Sequence, residues 1–223
     1  MHRTGIDHAV PYTAVVMTRE NGTLTKEYPL PAGYRFAPFT PEDEENWIRL
    51  QLEVTHVESY AQGKRIFREE FLQAPEGVPC EECPGYPTIV DRTVQIKDAA
   101  GNLVGVATLW MGDTFGEVWQ RVHWVAVHPD HQGKGLAKCL IARMLQLYGE
   151  LNCDTPIYLT TQTKTYRAVR VYGQMGFTSY MGEKPANWPL RSDLPQESFE
   201  AENEAAWKLI REKLAEAGLT LNK

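Results

Sequence analysis

Basic residues are in the minority: 23 Lys and Arg stand against 29 Asp and Glu, a formal net charge of −6. That balance leaves no broad phosphate-binding face, so a nucleic-acid surface is not expected, whereas cationic amines would be attracted. Long hydrophobic runs are missing too. Nothing approaches the roughly 20 apolar residues of a membrane-spanning helix, so no membrane partner is expected. The N-terminal MHRTGIDHAVPY lacks the continuous apolar segment of a secretory signal, which makes a cytoplasmic location the default expectation. Cysteine is scarce, at Cys80, Cys83, Cys139 and Cys153. A chain of 223 residues can bury an adequate core without cross-links. Cys80-x-x-Cys83 is a single pair in a Pro/Gly-rich stretch; zinc would need two more ligands at fitting spacing, so no metal is expected and the pair reads as structural or incidental, with metal or redox chemistry as its other reading. Internal repeats and low-complexity tracts are absent, as are both standard nucleotide signatures, G-x-G-x-x-G and G-x-x-x-x-G-K-[ST].

What the chain does have is concentrated between Val122 and Tyr148. VHWVAV carries Val122, Val125 and Val127 and reads as a buried strand. KCLIARMLQLY, together with Leu136, puts Leu136, Leu140 and Met144 on one helical face beside Ala137, Ile141 and Leu145, and Gly149 can end that helix. The turn between them contains Gly133 and Gly135. The first amides of a helix have no intrahelical partners and sit at the positive end of its dipole. Glycines there remove the side chains that would keep a phosphate away, so the turn suits a diphosphate.

Gln132-Gly133-Lys134-Gly135-Leu136-Ala137 also matches Q/R-x-x-G-x-G/A, directly after Val125-Ala126-Val127-His128-Pro129. Further along, Ala168-Val169-Arg170-Val171-Tyr172-Gly173-Gln174-Met175-Gly176-Phe177 has the form A-x-x-x-Y-x-x-x-G-F. With these two motifs the chain resembles the GCN5-related N-acetyltransferase (GNAT) superfamily over roughly Tyr34 to Tyr180. The resemblance implies an α/β fold with a central mixed, mostly antiparallel twisted sheet flanked by helices. It implies a single domain over 1–223: a hairpin extension at 1–33, a core at 34–181, and a C-terminal extension with a helix at 182–223.

The elements follow from local pattern. Thr13–Met17 reads as a strand, Glu20-Asn21-Gly22 as a turn and Leu24–Tyr28 as the returning strand of the added hairpin. Tyr34–Phe39 is the first core strand. Thr40-Pro41-Glu42-Asp43 starts a helix continued by Trp47, Leu50, Val54 and Val57. A second helix is expected over Lys64–Gln73, then a loop over Pro75–Pro87, then strands at Thr88–Lys97 and Leu103–Met111 joined through Asp98–Asn102. The glycine-turn strand is expected from Glu117. Ile157–Thr161 reads as a strand, Tyr166–Met175 as a helix and Phe177–Met181 as the start of a further strand. Pro185, Pro189 and Pro195 interrupt the segment where the family's final hairpin would complete the sheet. Glu197–Ala217 is a long amphipathic helix that could pack on a partner subunit, with its own domain the favoured place.

The resemblance implies transfer of an acetyl group from acetyl-coenzyme A to an amine. Val125, Ala126 and Val127 would pair with the pantetheine arm, and Gln132, Gly133, Lys134, Gly135, Leu136, Ala137 and Lys138 would hold the pyrophosphate, with the two lysines either meeting phosphate or simply solvated. Strand alternation puts Glu117, Trp119, Arg121, His123, Val125 and Val127 on one face. His123 is the first candidate for the base that takes the amine proton, as in the similar arylalkylamine N-acetyltransferases; its other reading is a core histidine. Glu117 is the second candidate, acting through a water, or else a solvated strand end. A main-chain amide near Val125 would face the carbonyl oxygen, and Tyr172 would protonate the leaving sulfur unless it is a core aromatic. Thr165 stands where the family often has asparagine. Small metabolites, polyamines, antibiotics and protein amino groups are all compatible acceptors, and a homodimer is compatible as well. The alternatives are a longer acyl-coenzyme A as donor, a non-catalytic acyl-coenzyme A sensor, and a structural adaptor that binds no coenzyme.

Overall fold

A computed structural model describes residues 5–20, 26–188 and 194–221. Its strands are β1 (Ala14–Arg19), β2 (Tyr34–Ala37), β3 (Thr93–Asp98), β4 (Leu103–Gly112), β5 (Trp119–Val127), β6 (Ile157–Gln162) and β7 (Thr178–Ser179). They form one sheet in the order β2-β3-β4-β5-β6-β1-β7. The helices are α1 (Asp43–Glu53), α2 (Tyr60–Phe67), α3 (Tyr86–Arg92), α4 (Leu136–Glu150), α5 (Tyr166–Gln174) and α6 (Gln196–Glu216), with a π-helical turn at Arg68–Leu72. The pairs β2–β3, β3–β4, β1–β6 and β1–β7 are antiparallel. β5 and β6 are parallel, with Gln120 opposite Ile157 and Arg121 opposite Tyr158. A parallel pair needs a long crossover, and α4 lies within it. The expected class, a mixed and mostly antiparallel sheet flanked by helices, is what forms.

The expected N-terminal hairpin is not what β1 makes. Its turn lies largely outside the described residues, and residues 26–28, which would return, form no strand. Instead β1 is inserted between β6 and β7, register-paired with both. Residues 180–188, where the second arm of a closing hairpin was expected to be broken, indeed carry no strand. An apolar strand buried as deeply as Val15, Val16 and Met17 needs partners on both edges, and β6 and β7 supply them.

Three further boundaries differ from the pattern-based expectation. Thr88–Arg92 is the end of α3 rather than the start of a strand, because Pro87 pre-sets the first helical turn and Ile89 donates its amide to Gly85 O at 3.0 Å. β-branched residues there are overruled by burial of Ile89. The second helix begins earlier, at Tyr60, where Ser59 accepts the Gln62 amide, and it widens into the π turn before Gln73. β5 begins at Trp119 instead of Glu117.

The described residues fall into two compact units. Among the described residues the first contains 26–109 and 124–147. Its centre is aromatic: Trp47 packs against Phe67 at 5.0 Å and Phe71 at 5.8 Å between centroids. The loop over Pro75–Pro87 is tied down by Arg68, whose guanidinium donates to Glu44 Oε1 (2.7 Å) and Oε2 (2.6 Å) and to the carbonyls of Val78 (2.7 Å) and Pro75 (3.1 Å). Removing one member of such a buried pair would cost about 3–5 kcal/mol. Cys80 and Cys83 are free and buried beside it, and burial pushes the Cys80 thiol up to about 12, which keeps it protonated at neutral pH.

Among the described residues the second unit contains 5–20, 110–123, 148–188 and 194–221. Val16, Tyr158, Trp188, Leu194 and Phe199 form its core cluster. α6 lays Phe199, Ala206, Trp207, Ile210 and Leu214 inward against α5 and β1, so the terminal helix covers its own unit as its periodicity predicts. No helix among the described residues is long and apolar enough to cross a membrane.

Candidate functional site

The glycine turn lies in the first unit. β5 ends at Val127, and the His128 amide donates to Val104 O at 2.9 Å. A short 3-10 turn, Pro129–His131, follows. Gln132 then reaches back, donating from Nε2 to Val127 O at 3.0 Å, so its side chain staples the turn to the strand. Gly133 and Gly135 have φ of 77° and 84°, a region in which side chains are strained, and a Cβ built on either meets nothing within 4 Å. Gly133, Lys134 and Gly135 are exposed, while Leu136 anchors the start of α4 in the core. The Gly135 carbonyl accepts from the Lys138 and Cys139 amides at 3.0 and 3.2 Å. The amides just before these are therefore the ones that helix geometry leaves for a ligand. An exposed turn with nothing obstructing it, at the positive end of a 15-residue helix, suits an anion such as a diphosphate.

Pattern reading did not single out Tyr34 and His131, which flank this turn. The Tyr34 hydroxyl lies 2.9 Å from His131 Nδ1 and accepts from Lys134 Nζ at 2.9 Å. Lys134 is thus held by a phenol instead of standing free. His131 is held below the ordinary histidine range by burial first, then by the charges of Lys134 and His128, with Asp98 and Asp130 opposing. The H-P-D-H run was the only sequence signal for it, and it carries no fixed spacing to Tyr34. Ala137 and Lys138 lie half-buried on the first turn of α4.

Val125, Ala126 and Val127 follow a backbone irregularity that alternation could not reveal. Trp124 has φ 49°, a left-handed conformation that costs about 1–3 kcal/mol and is unusual for a bulky residue. Its ring packs against Trp47 (5.1 Å) and His56 (6.2 Å), and its indole Nε1 donates to Glu70 Oε2 at 2.9 Å. The single face expected from Glu117 to Val127 fails for two reasons. Glu117 is exposed in the turn before β5, and alternation requires extended backbone at every residue, which Trp124 breaks.

The remaining candidates lie in the second unit. His123 is half-buried on β5. Tyr172 is 9% exposed on α5, its ring centroid 6.3 Å from that of Phe177. Burial pushes the Tyr172 phenol well above its ordinary value, so it holds its proton throughout the neutral range. The carbonyl of Tyr172 accepts from the Met175 and Phe177 amides at 2.9 and 3.1 Å, which explains the tyrosine-to-phenylalanine spacing of the motif as a helix end. Thr165 uses its hydroxyl locally, 2.8 Å from Thr161 Oγ1 and donating to Gln162 O at 2.9 Å. Among the described residues no group of three or more metal-ligating side chains occurs.

The family model of the Acetyltransferase (GNAT) family matches residues 54–177, more than half of the chain. No curated protein matches. Among solved structures, a GCN5-related N-acetyltransferase from Sphaerobacter thermophilus superposes with a TM-score of 0.52 at 17% identity, covering 75% of this chain and 48% of that one. A tandem GNAT protein from the clavulanic acid biosynthesis pathway gives 0.50 at 18% identity, covering 78% and 52%. The chain spans about half the length of these two structures, and at such identities they share the fold alone. The family match, the sheet and the paired motifs agree: the chain belongs to the GNAT acetyltransferase family.

Proposed function

We propose that the chain is an acetyl-coenzyme A-dependent N-acetyltransferase, acting as one domain over 1–223, that moves an acetyl group to a primary amine by direct attack. The observation that carries this is the exposed Gly133–Gly135 turn, whose left-handed glycines leave the helix start open. Acetyl-coenzyme A would supply an activated thioester. Leu136 and Gln132 hold the turn rigid, and the amides at the start of α4 bind the diphosphate, with the backbone of Val125–Val127 pairing to the pantetheine arm. A main-chain amide near Val125 donates to the carbonyl oxygen as it gains charge.

His123 is the candidate to take the amine proton, and Glu117, exposed as it is, would act through water. Tyr172 holds its proton at neutral pH and is the candidate donor to the departing sulfur. Because burial also penalises the phenolate left behind, a strong hydrogen bond to the sulfur is favoured over complete transfer. The proposed setting is cytoplasmic.

Calorimetry with acetyl-coenzyme A, followed by a thiol-release screen over many amines, tests the proposal. Binding and turnover are expected. Binding without turnover on any amine points to a sensor, and no binding at millimolar ligand removes the proposal. His123→Ala should lower turnover and alter the acidic limb of the pH–rate curve while sparing coenzyme affinity. An unchanged curve transfers the role to Glu117 or water.

A further inference from the structure

Trp124 carries its strained backbone immediately before Val125, and nothing in its own conformational preference keeps it there. The peptide N–H of Val125 belongs to the unit joining these two residues, so its direction is set by the backbone torsions of Trp124. The handle on those torsions is the Trp124 side chain. It meets Trp47, which is fully buried, in a T-shaped contact. Another neighbour is His56, itself fixed by Gln51 Oε1, 2.7 Å from its Nδ1. Its one polar atom donates to Glu70.

Glu70 stands on a rigid platform. It lies in the π turn Arg68–Leu72, whose Phe71 and Leu72 are fully buried and whose Arg68 is locked to Glu44 and to two loop carbonyls. Such turns interrupt α-helices at a cost in hydrogen bonding and recur at functional sites. Here the turn places a carboxylate on the indole of the residue that bends β5.

We infer that Glu70 is a positioning residue: through the Trp124 indole it holds the bend in β5 and thereby aims the Val125 amide at the reacting carbonyl. The inference rests on the proposed acetyl transfer for its consequence, and on the Glu70–Trp124 bond for its geometry. A carboxylate acting this way needs to accept a hydrogen bond and does not need its charge.

The test compares Glu70→Ala, Glu70→Gln, Trp124→Phe and the double variant Glu70→Ala/Trp124→Phe. Glu70→Ala and Trp124→Phe should each lower kcat roughly tenfold, below the full loss of an oxyanion donor because the amide is loosened and not removed. Acetyl-coenzyme A affinity should stay within about twofold, since the diphosphate turn is untouched. The double variant should be no worse than either single one, because both remove the same bond. Glu70→Gln should retain most of the activity. Glu70→Ala turning over at the parental rate overturns the inference, as do equal losses in Glu70→Ala and Glu70→Gln. A Glu70→Gln defect confined to the amine KM also overturns it and makes Glu70 a substrate contact. Amide hydrogen exchange at Trp124 and Val125 gives a readout independent of turnover. It should quicken in Glu70→Ala and Trp124→Phe and stay parental in Glu70→Gln; unchanged exchange in all three overturns the clamp. A parental chain that acetylates no amine defeats the acetyl-transfer proposal, and the exchange data still decide the clamp.

Discussion

Thr178 Oγ1 donates to the main-chain oxygen of Thr18, 160 residues away in the chain. The two residues are also register partners, and Thr18 faces Tyr158 on its other side. An N-terminal strand therefore completes the part of the sheet that the C-terminal segment leaves open. β1 belongs to the core of its unit and is no appendage.

Val15→Asp tests this. Val15 is fully buried, so an unpaired carboxylate there should cost about 3–5 kcal/mol. For a chain of this size that lowers the melting temperature by roughly 10 °C or abolishes a cooperative transition. Tyr12→Asp, at a position 53% exposed, should melt as the parent does. A parental melting curve by circular dichroism for Val15→Asp would make β1 dispensable.

Gly135→Glu should abolish acetyl-coenzyme A binding, because a carboxylate would occupy the positive start of α4. The φ of 84° adds backbone strain to any substitution, about 1–2 kcal/mol. Gly135→Ala carries that strain without the charge, and no neighbour within 4 Å obstructs its methyl group. It should therefore lose stability and weaken binding far less than Gly135→Glu does. If the two variants bind equally in a titration, the phosphates are not at this turn.

His131 sets a pH dependence. In the free chain its pKa is lowered, by burial first and then by Lys134 and His128. A phosphate at the adjacent turn would favour the imidazolium and raise that pKa, so binding takes up a proton and affinity should increase as pH falls from 8 towards 6. The diphosphate bridge is esterified at both ends and keeps its charge across this range, so the histidine is the group that titrates. The difference between the parent and His131→Asn isolates the histidine contribution. Identical affinity-against-pH curves for the two would show that His131 does not sense the ligand.

Tyr172→Phe keeps the ring in place beside Phe177 and removes one hydroxyl. If the phenol serves the departing sulfur, turnover should fall by roughly 10²-fold with coenzyme affinity nearly unchanged. No basic limb from Tyr172 is expected in the parental pH–rate curve below pH 10, because burial raises its pKa. The same shift makes the folded state retain a proton that the unfolded chain releases above about pH 10, so its stabilising contribution is complete below that pH and fades above it. Full turnover together with a small loss of stability, about 1 kcal/mol, would return Tyr172 to the core.

Much was legible because it is local. The spacing of Leu136, Leu140 and Met144 fixes a helix face, Gly133 and Gly135 mark a left-handed turn before it, and Phe199 to Leu214 mark a covering helix. Each depends on residues a few positions apart, and backbone geometry repeats at that distance. The two motifs and the family they point to rest on the same short-range chemistry.

What tertiary structure alone decided depends on partners distant in the chain. The strand 14–19 reads from its pattern as half of a hairpin; only the hydrogen bonds open on β6 and β7 make it an insertion between two others. Thr88–Arg92 carries β-branched residues that favour a strand, and burial of Ile89 on a Pro-started turn makes it helix. The bend at Trp124 has no local signature at all. Its left-handed backbone is held by Trp47, His56 and Glu70 from three other segments, and a conformation disfavoured by its own residue persists only where such contacts outweigh the strain.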